Sequence, residues 1–172
     1  MAILPILHYP DPFLKLSATP VSVVDAQVKA LARDMADTMY GAPGVGLAAP
    51  QVGIGQRLVV LDCARKEEPP NLITAINPEI VSREGTVSEE EGCLSVPEYY
   101  ARVTRSARVR VRFLDLEGQT VELDAEDLLA IAFQHEIDHL DGILFIDHLS
   151  PLKKGIFRKK YQKLLDQRQE QL

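Results

Sequence analysis

Two histidines and a glutamate stand at a spacing that could bind a metal ion and activate water. His135 and His139 are four residues apart, so on a helix both imidazoles share one face and reach one point beside it. Glu136 projects about 100° round from His135 on the same helix, outside the ligand face but within reach of water at the metal. This H-E-x-x-H pattern predicts two metal ligands and a general base.

A site of this kind needs a third protein ligand and an open position for water. Cys93 is the candidate, because it follows a glycine in a turn-like setting and thiolate with imidazole suits Zn²⁺ or Fe²⁺. Gln51 ends the glycine-rich run 41–51, and its neutral amide can hold a developing oxyanion. The simpler alternatives are a tight turn for that run, and one packed and one solvated histidine for the pair.

The elements that must position these residues can be predicted from the hydrophobic pattern. The histidine helix is expected to begin near Asp124 and to stop at Gly142. An amphipathic helix should follow Asp25, which is a good N-cap. The remaining predictions are a buried strand over 57–62, two short strand pieces within 73–81, a hairpin over 102–124, a strand over 143–146 and a last helix from Ser150 and Pro151.

These elements together predict an α+β fold, with antiparallel sheets around a central metal-binding helix and further helices near the N- and C-termini. The length of 172 residues favours a single domain over 1–172. In the predicted hairpin, Arg108, Arg110 and Arg112 alternate with apolar residues, so we expect these arginines on the solvated face of a sheet.

Composition excludes several classes of protein. Hydrophobic residues make up 46% and charged residues 26% of the chain, which is ordinary for a globular protein. A net charge of −6 argues against general nucleic-acid binding, DNA included, and no apolar run is long enough to cross a membrane. Residues 1–8 lack the features of a signal peptide, so we expect a cytoplasmic protein whose cysteines, Cys63 and Cys93, are unpaired.

The segment 151–172 differs in charge from the rest of the chain. It holds seven lysines and arginines against two acidic residues. This basic C-terminal helix or tail could meet an acidic partner such as the RNA of the ribosome, and a simple solvated surface helix is the alternative.

Three separated stretches stand out together: GVGLAAPQ at 44–51, EGCLS at 91–95 and QHEIDH at 134–139. In order and spacing they resemble the three motifs of peptide deformylase in its bacterial type-1 form. The resemblance runs through essentially the whole chain. It implies an enzyme that removes the formyl group from the N-terminal formylmethionine of new proteins and releases formate. It also implies one divalent ion held by Cys93, His135 and His139, ferrous iron in this family, with nickel, cobalt or zinc able to substitute.

The same resemblance implies a role for each further site residue. Glu136 would accept a proton from water and pass it to the departing amine, and the Gln51 side chain and the Leu94 backbone N–H would help to hold the oxyanion. The N-formylmethionyl peptide would lie as an extended strand along Gly44 to Gly46. Its methionine would enter an apolar pocket lined by Val45, Leu128, Ile131 and Ala132. Tyr99 and Tyr100 stand where some relatives have an arginine, which leaves preferences beyond methionine open.

Two other functions remain as alternatives. A metalloprotease would also use the H-E-x-x-H pattern, but its third ligand is usually a histidine or a carboxylate rather than a cysteine. A non-catalytic protein with a purely structural metal would normally close the site with a fourth ligand, and neither His8 nor His148 stands in an obvious motif for that purpose. Glu136 and Gln51 would then have no role.

Overall fold

The computed structural model describes residues 2–170 and has the predicted α+β architecture. Its helices are α1 (Ala26–Gly41), α2 (Asp127–Leu140) and α3 (Pro151–Glu170). Its strands are β1 (Gly46–Ala48), β2 (Leu58–Leu61), β3 (Ile73–Glu84), β4 (Val87–Cys93), β5 (Val96–Arg105), β6 (Arg108–Leu114) and β7 (Thr120–Glu126). A five-stranded sheet has the order β1-β2-β3-β6-β7, and β4 pairs with β5; these ladders are antiparallel. In this described part of the chain, no helix is both long and apolar enough to span a bilayer.

Strand β2 is buried on both faces, as its uninterrupted apolar sequence predicts. Val59 and Leu61 pack in the cluster that contains the apolar side of α2, whereas Leu58 and Val60 pack in the cluster that contains α1. The two helices therefore lie on opposite faces of the five-stranded sheet. A third cluster joins β5 to Phe157 of α3. Helix α2 thus has the large sheet on one side, while its histidines face the β4-β5 pair.

The start of α2 differs from the prediction. Asp124 is not a helix start but belongs to β7, where it lies opposite Arg110 in the ladder and forms an ion pair with it at 3.1 Å. The β6-β7 pairing continues to Glu126, so the helix begins three residues later, at Asp127. The predicted stop is confirmed, because Gly142 adopts a positive φ of 74° just beyond the helix.

The predicted strand over 143–146 is wrong. A 3-10 helix, Phe145–His148, occupies that region. The start of this 3-10 helix is fixed by Asp147, whose carboxylate accepts a hydrogen bond from the Leu144 backbone N–H at 2.8 Å. A short apolar run is ambiguous in sequence, and here a local carboxylate decides the conformation.

Two further strand predictions need correction. The segment 73–81 is part of one strand rather than two pieces, because β3 passes Asn77 through a register shift at φ 52°. The Asn77 side chain bonds both backbone groups of Val21, at 2.8 Å each. The predicted hairpin is confirmed as β6 and β7, but residues 102–105 belong to β5, which the sequence did not reveal. The alternating arginines of β6 are exposed, as predicted.

Candidate active site

Three side chains meet at the buried face of α2 in the geometry of a metal site. The Nε2 atoms of His135 and His139 are 3.3 Å apart, and Cys93 Sγ lies 3.3 Å from His139 Nε2. All three donor atoms lie within 4.8 Å of one another. Ligands on a tetrahedral zinc or iron ion are about 3.3–3.6 Å apart, as follows from bond lengths of roughly 2.0–2.3 Å. The residues present therefore fit a single divalent ion.

The orientation of His135 is fixed by a buried carboxylate. Its Nδ1–H donates to Glu91 Oε1 at 3.0 Å, which leaves Nε2 free to face the other donors. Burial would lower the pKa of His135, but Cys93 and Glu91 outweigh it and raise that pKa well above its ordinary value. In His139, burial and the charge of His135 lower the pKa well below the ordinary value. His139 is therefore held uncharged, which is the form in which an imidazole can bind a metal ion.

Glu91 is itself held by Arg105. The guanidinium donates to both carboxylate oxygens, from Nε and Nη2 at 2.9 Å each, and both side chains are about 5% exposed. Arg105 Nη1 reaches Asp138 at 2.6 Å, and His148 Nε2 reaches the same carboxylate oxygen at 2.8 Å. Burial would raise the pKa of Glu91 and of Asp138, but these partners hold both pKa values below the ordinary range.

Glu136 projects into the cavity from the next position on α2. Its side chain is buried, and its Oε1 atom has no hydrogen-bond partner among residues 2–170. Burial is the main reason that its pKa is raised, to about 7. A carboxylate with a bare oxygen and a pKa near neutrality is suited to accept a proton and return it.

Gln51 is buried beside Cys93 with a fixed amide orientation. The Ala48 backbone N–H donates to its Oε1 at 2.9 Å, so its Nε2 must face the other way. Nε2 donates to Ser95 Oγ at 3.0 Å and lies 3.6 Å from Cys93 Sγ. The side chain therefore presents an N–H donor next to the candidate metal ligands.

The glycine-rich segment packs directly against the same residues. A Cβ atom at Gly46 would lie 2.6 Å from Glu136 Oε2, and one at Gly44 would lie 2.8 Å from Leu94 Cδ1. Gly46 is therefore required by close approach rather than by a turn, because Glu136 is buried. At Gly44 the end of the Leu94 side chain could shift, and at Gly92, where a Cβ would meet Tyr100 at 2.6 Å, the exposed ring could move away.

One large cavity connects these features. Its volume is about 1110 Å³, and all but one of the residues predicted for the site line it, His139 lying deeper. The predicted members of the lining are Gly44, Val45, Gly46, Gln51, Cys93, Leu94, Leu128, Ile131, Ala132, His135 and Glu136. Tyr99 and Tyr100 line it as well.

Several features of the site were not predicted from the sequence. The only hint in the sequence of a role for Glu91 is its place in the motif around Cys93. The sequence gives no hint of a role for Arg105, which lies outside that motif. His8 is exposed and lines the cavity. Cys63 is partly buried and packs against the main core, and both cysteines are free.

Comparison with known proteins identifies the family. The chain matches the family model for polypeptide deformylase over residues 3–155. It is 54% identical to the peptide deformylase of Nitrosococcus oceani, with 95% of this chain and 96% of the relative covered. The crystal structure of a peptide deformylase from Legionella pneumophila superposes with a TM-score of 0.90 at 47% identity, over 97% of this chain and 98% of the other. The chain belongs to the peptide deformylase family.

Other deformylases of known structure agree with this assignment. A peptide deformylase from Ehrlichia chaffeensis, solved in complex with actinonin, superposes with a TM-score of 0.89 at 38% identity, covering 95% of this chain and 98% of that one. Deformylases remove the N-formyl group from newly made proteins, and this enzyme is one of them. Family membership decides against the metalloprotease and the purely structural metal protein.

Proposed function

We propose that the enzyme hydrolyses the formyl amide of N-terminal formylmethionine with one divalent ion held by Cys93, His135 and His139. The observation that carries this proposal is the convergence of the three donor atoms, two of whose three separations are 3.3 Å and all of which are within 4.8 Å, next to a carboxylate whose Oε1 is unpartnered within residues 2–170. We infer Fe²⁺ as the native ion because the chain belongs to the peptide deformylase family. A mixed thiolate and imidazole set also accepts Ni²⁺, Co²⁺ or Zn²⁺, so these ions are proposed to substitute.

When bound, the ion would act as a Lewis acid that lowers the pKa of water and polarises the formyl oxygen. Glu136 acts as the general base in this proposal, since it lines the cavity and its Oε1 has no hydrogen-bond partner among residues 2–170. It takes the proton from water as the formyl carbon is attacked, and it returns that proton to the amine as the carbon–nitrogen bond breaks. The products are formate and a free N-terminal methionine.

Gln51 and Leu94 are proposed to stabilise the charge that develops on the formyl oxygen. The fixed orientation of the Gln51 amide supports this role, because the bond from the Ala48 N–H to its Oε1 holds its Nε2 on the side of the candidate metal ligands. The Leu94 backbone N–H is the second proposed donor. It lies in the two-residue turn between β4 and β5, directly after Cys93.

The peptide substrate is proposed to add a strand along the cavity. Strand β1 stands at an edge of the five-stranded sheet, and β4 has only β5 as a partner in the described residues. Residues 44–46 and β4 both line the cavity, so an extended peptide could pair with an exposed strand edge there. The methionine side chain would then enter the apolar part of the lining, formed by Val45, Leu128, Ile131 and Ala132.

We further propose that the enzyme works in the cytoplasm as one domain, with the basic segment 151–172 docking on the ribosome; residues 171–172 lie outside the described part. Exposed Lys159, Lys160 and Lys163 on α3 support this. Phe157 and Tyr161 are buried in the core, so truncation would damage the fold.

Replacing the three lysines with glutamate should weaken ribosome binding in a co-sedimentation assay, and unchanged binding would contradict the docking proposal.

The direct test of the metal site is formate release from formyl-Met-Ala-Ser by protein purified without oxygen, with the bound metal quantified. Wild-type protein should release formate at about one metal ion per chain. Cys93→Ala and His139→Ala should lose both metal and activity, whereas Cys63→Ala, at the cysteine outside the site, should retain both. A Cys93→Ala variant that kept its metal would contradict the ligand assignment.

A further inference from the structure

Ser95 is a buried serine that lies between the candidate metal ligand Cys93 and the amide of Gln51. It is the second residue of the turn between β4 and β5, and it is 0% exposed. Its backbone N–H donates to Cys93 Sγ at 3.4 Å, and its hydroxyl oxygen accepts from Gln51 Nε2 at 3.0 Å. Its carbonyl oxygen accepts from the Tyr9 backbone N–H at 2.7 Å. Ser95 therefore connects three segments that are distant along the chain.

The amide of Gln51 has one N–H group that the rest of the fold does not fix. A glutamine amide offers an acceptor oxygen and two N–H donors. The oxygen accepts from the Ala48 backbone N–H at 2.9 Å, and one N–H donates to the Ser95 hydroxyl. The second N–H is left on the side of Cys93, whose Sγ lies 3.6 Å from Nε2. Two hydrogen bonds thus set the orientation of the amide and direct its remaining donor toward the candidate metal ligands.

These two hydrogen bonds do different things. The bond from Ala48 determines which side the amide nitrogen faces, but Ala48 is only three residues from Gln51 in the same segment. That bond leaves the distance of the segment from Cys93 undefined. Ser95 lies 44 residues away along the chain, in the turn that directly follows Cys93. Its hydroxyl therefore fixes the amide relative to the metal ligand itself.

We propose that Ser95 is a positioning residue for the reaction, whose hydroxyl orients the Gln51 amide so that the second N–H faces the developing oxyanion. This inference rests on the proposed function, in which Gln51 stabilises the charge on the formyl oxygen. Donors of this kind are effective because they are already oriented when the charge develops. Ser95 is not among the residues that line the cavity, so it acts through Gln51 rather than on the substrate.

The test is a double-mutant cycle with the metal-loaded enzyme and formyl-Met-Ala-Ser. Ser95→Ala removes the hydroxyl and keeps the backbone N–H that bonds Cys93. Loss of a whole oxyanion donor costs about 10²–10³-fold in kcat, so loss of its orientation alone should cost about 5–20-fold, with KM within about twofold. In a Gln51→Ala background, Ser95→Ala should change kcat by less than about twofold, because the two residues act through one contact.

Two further measurements separate positioning from damage to the site or the fold. The absorption of the Co²⁺-substituted protein reports thiolate ligation, and it should be the same in wild type and Ser95→Ala, since Cys93 keeps its backbone partner. Thr38→Val is the matched control, because Thr38 is also a buried hydroxyl, 1% exposed, that bonds Leu4 and Asp34 outside the site. It should lower the free energy of unfolding and leave kcat and KM unchanged.

Each result of the cycle decides for or against the positioning role. Wild-type kcat in Ser95→Ala, or an equal loss of kcat in the wild-type and Gln51→Ala backgrounds, overturns it while formate release still supports deformylation. A changed Co²⁺ spectrum in Ser95→Ala overturns it as well, since Ser95 would then act on the metal site. Ser95→Gly also lacks the hydroxyl and gives the same comparison if Ser95→Ala does not fold.

Failure of the proposed function would look different. Wild-type kcat in Gln51→Ala would remove the oxyanion role of Gln51, and this inference with it, while leaving deformylation intact. No formate from the fully metallated wild type would overturn the proposed function itself.

Discussion

At the scale of single residues, Glu91 links the candidate metal ligands to a chain of charged groups that ends at exposed His148. It accepts from His135 on one side and from Arg105 on the other, and Arg105 continues to Asp138. Hydrogen bonds of this kind hold a histidine ligand in one tautomer and one orientation. The chain of contacts therefore makes metal affinity depend on residues that do not touch the metal.

Replacing Arg105 should weaken both the fold and the metal site. Arg105→Met leaves the buried Glu91 carboxylate without its guanidinium partner, which typically costs about 3–5 kcal/mol in the free energy of unfolding. Loss of the support for His135 should lower metal affinity by about 10–100-fold. Denaturant unfolding and a chelator competition would measure the two effects. Arg110→Met, at an exposed ion-paired arginine, is the control and should leave the free energy of unfolding almost unchanged, because exposed ion pairs contribute little to stability.

The same groups predict how stability depends on pH. The pKa values of Glu91 and Asp138 are lower in the folded protein than their ordinary values of 4.5 and 3.8. Their contribution to stability is therefore complete above those values and is lost as the pH falls through the lower, folded-state pKa values. The free energy of unfolding, measured from pH 7 downwards, should fall in acid for the wild type and should fall less for Arg105→Met. Identical pH profiles for the two proteins would contradict the role of Arg105 in lowering these pKa values.

A second test at this scale concerns Gly46. In Gly46→Ala the new Cβ would lie 2.6 Å from Glu136 Oε2, so the carboxylate or the strand must move. A displacement of about 1 Å in a catalytic group can cost about a hundredfold in rate, and we expect kcat to fall by about 10–100-fold with the metal retained. Gly155→Ala, where nothing lies within 4 Å of the new atom, should leave the kinetics unchanged.

At the scale of elements, α2 shows what sequence could and could not predict. The spacing of His135 and His139 and the stop at Gly142 are local properties, so both were predictable. The start was not, because it depends on how far β7 pairs with β6. Strand β4 was missed for a related reason: its acidic sequence has no apolar alternation, and it is ordered by pairing with β5 and by the burial of Glu91. Tertiary contacts decided both cases.

The end of α2 offers a stability prediction of its own. Gly142 has a φ of 74°, and a Cβ there would collide with the Lys15 backbone carbonyl. Gly142→Ala should therefore cost more than backbone strain alone, about 2–4 kcal/mol in the free energy of unfolding. Gly118→Ala separates backbone strain from steric collision, because Gly118 has a similar φ of 75° but a Cβ there would have nothing within 4 Å. It should cost only about 1 kcal/mol. Equal losses in thermal or denaturant unfolding would contradict the close-approach argument.

At the scale of the whole molecule, the fold brings three distant segments to one cavity. The α2 histidines face β4, which supplies Cys93 and Glu91, while the glycine-rich segment approaches Glu136 closely enough to exclude a side chain. The motifs predicted which residues would meet. The sequence could not predict that Asp127 lines the cavity, because the start of α2 depends on how far β7 pairs with β6.

The most direct test of the central claim is the activity of Glu136→Gln at matched metal content. The substitution keeps the size of the side chain and removes its ability to accept a proton, and loss of a general base typically costs about 10²–10⁴-fold in rate. We predict that Glu136→Gln binds about one metal ion per chain, as the wild type does, and releases formate from formyl-Met-Ala-Ser at least a hundredfold more slowly. A fully metallated Glu136→Gln enzyme with wild-type formate release would contradict the proposed mechanism.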